Sequence, residues 1–371
     1  MKRGHAGRAI VVIEPDFRGH RLGHVEAVAR VAIDDGWNVT FATSQETIES
    51  TEYRERFAAR GIRWSVHSLG RMPGDSERVA WVEGRIAELA DHYPDARLLV
   101  LEGDKLLPWF VRMPRATGRR LTLLVIRGPL LLSRSLRGTL AGWLKAGLFT
   151  VAAARRFPLL VLQTGDLPLR YKRRFFANPV PDPVSEGAEP GAADEYRSLH
   201  NLDPTVTWCA VLGTISRAKN LDTLLAALQG DRSIGLLVAG KLDADEAVRL
   251  RPHIERFESA GGRVRFDDRV MADGDMDIAV SAADVILISQ SADGPSGIMG
   301  KALAAGKPVL ATGSSFLGAE VRRLRAGEAS RPERDAMQAA IHRLALRSFT
   351  RRPMAAAPDF GRAVLRVYDV K

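Results

Sequence analysis

Short, continuous apolar runs alternate along this chain with stretches in which apolar residues recur every three or four positions, and the alternation comes in two series. The first series predicts strands near Ala9–Ile13, Val39–Ala42, Arg63–His67, Leu98–Leu101, Leu121–Ile126 and Leu159–Leu162, with helices between them such as Leu22–Ile33, Val79–Ala90 and Leu140–Ala154. The second predicts strands over Val206–Leu212, Ile234–Ala239, Arg263–Asp267, Val285–Ser289 and Pro308–Ala311, and a last helix over Asp359–Asp369. Runs that are apolar throughout, rather than at alternate positions, mark strands covered on both faces, as in a doubly wound parallel sheet. The expected fold class is α/β, with two doubly wound domains and the natural ligand site in the cleft between them. Residues 178–195 are dense in Pro and Gly, lack aliphatic periodicity and read as a linker. The chain then divides into a first domain over 1–177, the linker, a second domain over 196–350, and a C-terminal helical segment over 351–371 whose docking site is open.

Composition narrows the class. At 371 residues the chain is too long for one ordinary core, and 46% hydrophobic with 26% charged residues are globular values. Its one cysteine, Cys209, lies in an apolar run and reads as a core residue, so a disulfide framework or a cysteine zinc cluster is excluded. The N-terminal apolar run ends at Glu14, which suits a first strand and not a signal sequence. The stretch Ala141–Ala154 is broken by Lys145 and is too short to span a bilayer. A soluble, cytoplasmic protein is expected. The net charge of +10 includes a true cluster, Arg170-Tyr171-Lys172-Arg173-Arg174-Phe175-Phe176, and a second over Ser133–Arg137 ahead of an apolar helix. Cations beside apolar side chains suit an anionic membrane surface at the inner membrane face, at roughly 1 kcal/mol per basic residue. Nucleic acid is the weaker reading and a solvated basic face the plain one.

Candidate chemistry gathers in loops that follow strands, where open α/β sheets bind ligands. After the strand ending at Ser289 comes Gly294-Pro295-Ser296-Gly297, then an Ala- and Leu-rich helix, then a strand after Lys307-Pro308. Unpaired N–H groups and the helix dipole make such a helix start receptive to an anion; Gly297 admits close approach and Ser296 is placed to cap the helix or bond the ligand. Lys219 stands in the first turn of another helix, a position the dipole disfavours for a cation, which points to a function for it. Other motifs fall away. GPSGIMGKA has P-loop character, but its spacing is one residue too long and Ala302 replaces the magnesium-binding Ser or Thr. Asp273, Asp275 and Asp277 read as acidic caps, and His20 with His24 lacks a third ligand, so no metal site is expected.

Three places carry a resemblance to the GT-B-fold glycosyltransferases of the family 4 type. They are VLGTISRAKNLDTLLAAL from Val211 to Leu228, the strand, acidic loop and helix of Asp284–Thr312, and FFANPVPDP at the linker start. The resemblance covers roughly residues 175–325. It departs at Thr214, where the family has Arg, and at Lys301, where the family has its second acid; Asp293 matches the first. The resemblance implies that the two domains are facing Rossmann-like domains. It also implies transfer of a sugar from a nucleotide diphosphate sugar to a glycan or lipid-linked acceptor, with retention of configuration, no metal and no further cofactor. Lys219 and Arg217 would stabilise the leaving diphosphate, and Asp293 would face the donor sugar. Gly19, Gly213, Thr214, Gly294, Ser296, Gly297 and Lys301 would line the donor site, with Arg269 in a stretch that governs donor preference. Arg18, His20, Glu102, Asp104 and Arg127 are the acceptor candidates. An ammonium cannot accept the ribose hydroxyl bonds that the second acid accepts, so either the ribose is held by other atoms, or Lys301 pairs with a phosphate or an acidic neighbour, or donor binding has been lost. A nucleotide-sugar epimerase and a catalytically degenerate scaffold of the same fold are the alternatives.

Overall fold

The computed structural model of the chain describes residues 8–17, 21–58, 61–128, 135–163, 178–184, 187–290 and 293–369. It divides into two compact units, one comprising Met1–Pro129, Ala141–Pro183 and Ala355–Lys371, the other Leu130–Leu140 and Val184–Met354.

Among the described residues the first unit is built on seven parallel strands: β1 (Ala9–Ile13), β2 (Asn38–Thr43), β3 (Ser65–Ser68), β4 (Arg97–Val100), β5 (Leu121–Val125), β6 (Leu159–Gln163) and β7 (Asn178–Pro181). Their order is β3-β2-β1-β4-β5-β6-β7. Successive side chains of a strand point to opposite faces, and β1 shows the result. Val11 and Ile13 join Leu98, Leu123 and Phe149 in one buried layer, while Ile10 and Val12 join Val25, Phe41 and Phe360 in the other.

The second unit carries six parallel strands: β8 (Thr207–Leu212), β9 (Ile234–Ala239), β10 (Arg263–Asp267), β11 (Val285–Ser289), β12 (Val309–Thr312) and β13 (Gly327–Ala329), in the order β10-β9-β8-β11-β12-β13. In β8, Trp208, Ala210 and Leu212 enter one layer and Cys209 and Val211 the other; burial pushes the Cys209 thiol pKa up. Both sheets reverse their winding next to the first strand, at β1/β4 and at β8/β11. Chains leaving such a pair diverge to opposite faces and open a crevice at the carboxyl ends.

The expected linker 178–195 needs correction, because its first residues form β7. Leu160 pairs with Asn178 and Gln163 with Pro181, and Val180 is buried. Pro179 and Pro181 lack the N–H that a second neighbour would need, so they fit an edge strand, which has none. The C-terminal helix, Ala357–Leu365, packs on the helix Arg21–Asp34 of the first unit. Gly361 permits the approach, since a Cβ there would lie 2.3 Å from the Ala27 carbonyl oxygen. His24 stacks on Phe360 at 4.8 Å between ring centroids and so serves this packing. No helix among the described residues is long and apolar enough to cross a membrane.

Candidate functional site

In the second unit the loops leaving β8 and β11 are tied together. Gly213 takes φ +92°, and its carbonyl oxygen would lie 2.2 Å from a Cβ at Gly240, so the β8 and β9 loops approach as only glycine allows. Ile215 then bonds back to the β9 loop, its N–H donating to Lys241 O at 2.8 Å, while Thr214 is exposed. A 3-10 turn, Arg217–Lys219, leads to Asn220 in the left-handed region, and Asn220 Nδ2 donates to Ser289 Oγ at 3.4 Å, at the end of β11.

This geometry leaves Lys219 half-buried at the start of the helix Leu221–Leu228. Burial pulls its ammonium pKa down, and among the described residues no carboxylate lies within ion-pair distance of it. A partly desolvated cation without a counter-charge gains from an anionic ligand. Arg217 is exposed beside it.

Past Gly294, the helix Gly297–Ala305 begins at Ser296. Ser296 is buried and sits at the capping position, and of the two roles read from the sequence its side chain does not make the capping hydrogen bond. The first N–H groups of this helix are left to other partners.

Three residues of the predicted donor site have partners within the fold. Asp293 Oδ1 accepts from Ser314 Oγ at 2.7 Å and Phe316 N–H at 3.1 Å, fixing the start of the helix Ser315–Arg323. Arg269 binds Asp275 and, at 2.9 Å, Asp267, and its pKa is raised chiefly by Asp275. Lys301, only 6% exposed, donates to Asp277 Oδ1 at 2.8 Å and to Asp273 O at 3.4 Å. Of the partners expected for Lys301, this is the acidic neighbour. Asp277 is thus more than the acidic cap it resembled: it is the buried counter-ion of Lys301.

In the first unit, Asp104 serves the fold, accepting from Ile126 N–H at 2.8 Å, Arg127 N–H at 3.0 Å and Lys145 Nζ at 2.8 Å. Arg127 is exposed, and its carbonyl also accepts from Lys145. Glu102 pairs with Arg21, which also reaches Glu14 at 3.3 Å and Asp16 at 3.6 Å. These residues line a pocket at the carboxyl ends of β1 and β4 together with Met72, Arg78, Val82 and Lys105. Burial pushes the Glu14 carboxyl up to about 7 against the pull of Arg21. Reading from the sequence did not select Glu14, Asp16 or Arg21; the available signal was an acid set directly after a fully apolar strand. Arg18, Gly19 and His20 lie outside the described residues, as does the basic cluster with Arg170, Lys172, Arg173 and Arg174.

No known family model matches the sequence, and no curated protein matches it significantly. Solved structures do. Sucrose-phosphate synthase from Thermosynechococcus elongatus superposes with TM-score 0.64 at 16% identity, covering 97% of this chain and 95% of that one. The fold is GT-B. HepE of Anabaena, solved in complex with UDP, gives TM-score 0.63 at 14% identity over 97% and 95% of the two chains. A glycosyltransferase from Rickettsia africae gives 0.60 at 11% identity over 98% of each. Glycosyltransferases of this fold are among the structural neighbours, and the likeness runs the length of both units.

Proposed function

We propose that this chain transfers a sugar from a nucleotide diphosphate sugar to a hydroxyl acceptor. One observation carries the reading: Lys219, half-buried and without a carboxylate partner among the described residues, stands at the β8/β11 switch point of a GT-B fold. Lys219, Arg217 and the N–H groups at the start of Gly297–Ala305 offer the preorganised positive potential that a leaving diphosphate requires. In this proposal they do the work a metal does in other transferases, and configuration is retained as the family 4 resemblance implies. HepE is solved with UDP and with UDP-glucose, so a UDP-sugar is the first donor to test.

An envelope glycolipid or polysaccharide acceptor at a lipid surface is supported by the helix Leu136–Ala154. Its Leu136, Leu140, Trp143 and Leu144 are 65% to 84% exposed, an apolar stripe at helical spacing. Co-sedimentation with anionic vesicles tests this directly. The Leu140→Ser/Trp143→Ser/Leu144→Ser variant is expected to stay in the supernatant while the unaltered chain pellets; equal pelleting would contradict it.

Product analysis after incubation with UDP-, GDP- and dTDP-sugars, with and without acceptor, tests the activity. A sugar moved only when acceptor is present supports transfer. A new nucleotide sugar formed without acceptor supports the epimerase, and binding without turnover supports a scaffold.

A further inference from the structure

Glu14 has one oxygen that is unused among the described residues. Its Oε1 accepts from Asp16 N–H at 3.1 Å and from Arg21 Nη1 at 3.3 Å. Among the described residues its Oε2, buried in a residue only 1% exposed, has no hydrogen-bond partner. Folded proteins rarely leave a buried polar atom unmatched, and Glu14 belongs to the wall of a pocket from which a ligand can supply the partner.

The lining defines the chemistry of that ligand. Three acids, Glu14, Asp16 and Glu102, alternate with three cations, Arg21, Arg78 and Lys105. Arg21 comes from the helix Arg21–Asp34 and Arg78 from the helix Arg78–His92, where Arg78 also approaches Asp16 at 3.8 Å. Glu102 and Lys105 come from the loop after β4. A cationic ligand would meet Arg21 and Arg78, and an anionic one would meet the carboxylates. A neutral ligand meets neither penalty. The rest of the wall, Met72, Val79, Val82, Val100 and Leu106, is apolar.

We propose that this pocket binds a neutral amphiphilic alcohol, the acceptor of the transfer, whose hydroxyl bonds Glu14 Oε2 while its apolar part lies along Met72, Val79 and Val82. Naming the alcohol as the acceptor rests on the glycosyltransferase reading; the pocket and its test do not. A hydroxyl both donates and accepts, so it suits a carboxyl that titrates near neutrality. A hydroxyl that donates to the carboxylate favours the ionised form, so binding releases a proton and tightens as pH rises through about 7.

The test is calorimetric titration of the full-length protein, without nucleotide, using n-octyl β-glucoside below its micelle threshold and methyl β-glucoside as probes. Octyl glucoside is expected to saturate a single site and to bind at least about tenfold tighter than the methyl compound, because its chain buries additional methylenes. Its affinity should rise from about pH 5 to about pH 8. Glu14→Gln should weaken it by about tenfold or more and flatten that pH profile, and Val79→Trp should block the pocket; both variants are checked for folding by thermal denaturation. Failure of octyl glucoside to bind, or unchanged binding in a folded Glu14→Gln protein, overturns the proposal. UDP titrated into the same samples separates the readings. If UDP binds and octyl glucoside does not, only the pocket fails. If no nucleotide binds, the transferase reading fails and the alcohol result still decides the pocket.

Discussion

Glu14 and Lys219 are both ionisable groups that the fold holds at a cost, and each makes a measurable demand. The Glu14 carboxyl is raised to about 7 by burial. Its folded pKa lies above its unfolded one, so the folded state holds the extra proton in acid, and stability is lost as pH rises towards about 7. The loss is on the order of 3 kcal/mol at most. Glu14→Gln should therefore unfold at a higher temperature than the unaltered protein at about pH 8 and show little gain at about pH 5. A constant offset at both pH values would contradict the account. Lys219 sits in the opposite situation, a cation made easier to neutralise by burial. Lys219→Ala should cost about a hundredfold or more in turnover with no loss of melting temperature, because the side chain serves a ligand and not the fold.

At the scale of elements, several predicted site residues turn out to hold loops in place. Asp104 collects two N–H groups at the end of β5 and the Lys145 ammonium from the helix Leu136–Ala154. Asp104→Ala leaves those donors unmatched and should lower stability by about 2 to 4 kcal/mol, read as a drop in denaturation midpoint. Gly361→Val places a side chain against the Ala27 carbonyl and should detach or strain the C-terminal helix, seen as faster amide exchange over Ala357–Leu365.

These roles explain what could and could not be read from the sequence. The strand and helix alternation was legible because fully buried strands are continuously apolar, as β8, β9 and β11 are. β7 was hidden because two prolines make a strand look like a linker, and β13 because three residues carry no pattern. Asp293 resembled a donor contact, yet its partners Ser314 and Phe316 lie 21 and 23 positions away, beyond the reach of local spacing. The Lys301–Asp277 pair is hidden for the same reason, 24 positions apart.

At the scale of the whole molecule, two parallel α/β units each present a switch-point crevice with a different chemistry. The second unit offers a lysine without a carboxylate partner among the described residues and a helix start without a side-chain cap, which suits a diphosphate. The first offers a charge-balanced pocket with an apolar wall and a carboxyl oxygen unmatched among the described residues, which suits an alcohol. The likeness to GT-B structures over 97% of the chain concerns the fold; under the proposed function, this division is what a sugar transferase needs. The most direct measurement is the binding of UDP to the unaltered protein and to Lys219→Ala, by calorimetry under identical conditions. The account predicts saturable binding that weakens by about tenfold or more in the variant, as expected for the loss of a charge-assisted bond to phosphate. Equal affinity in the two proteins would contradict it.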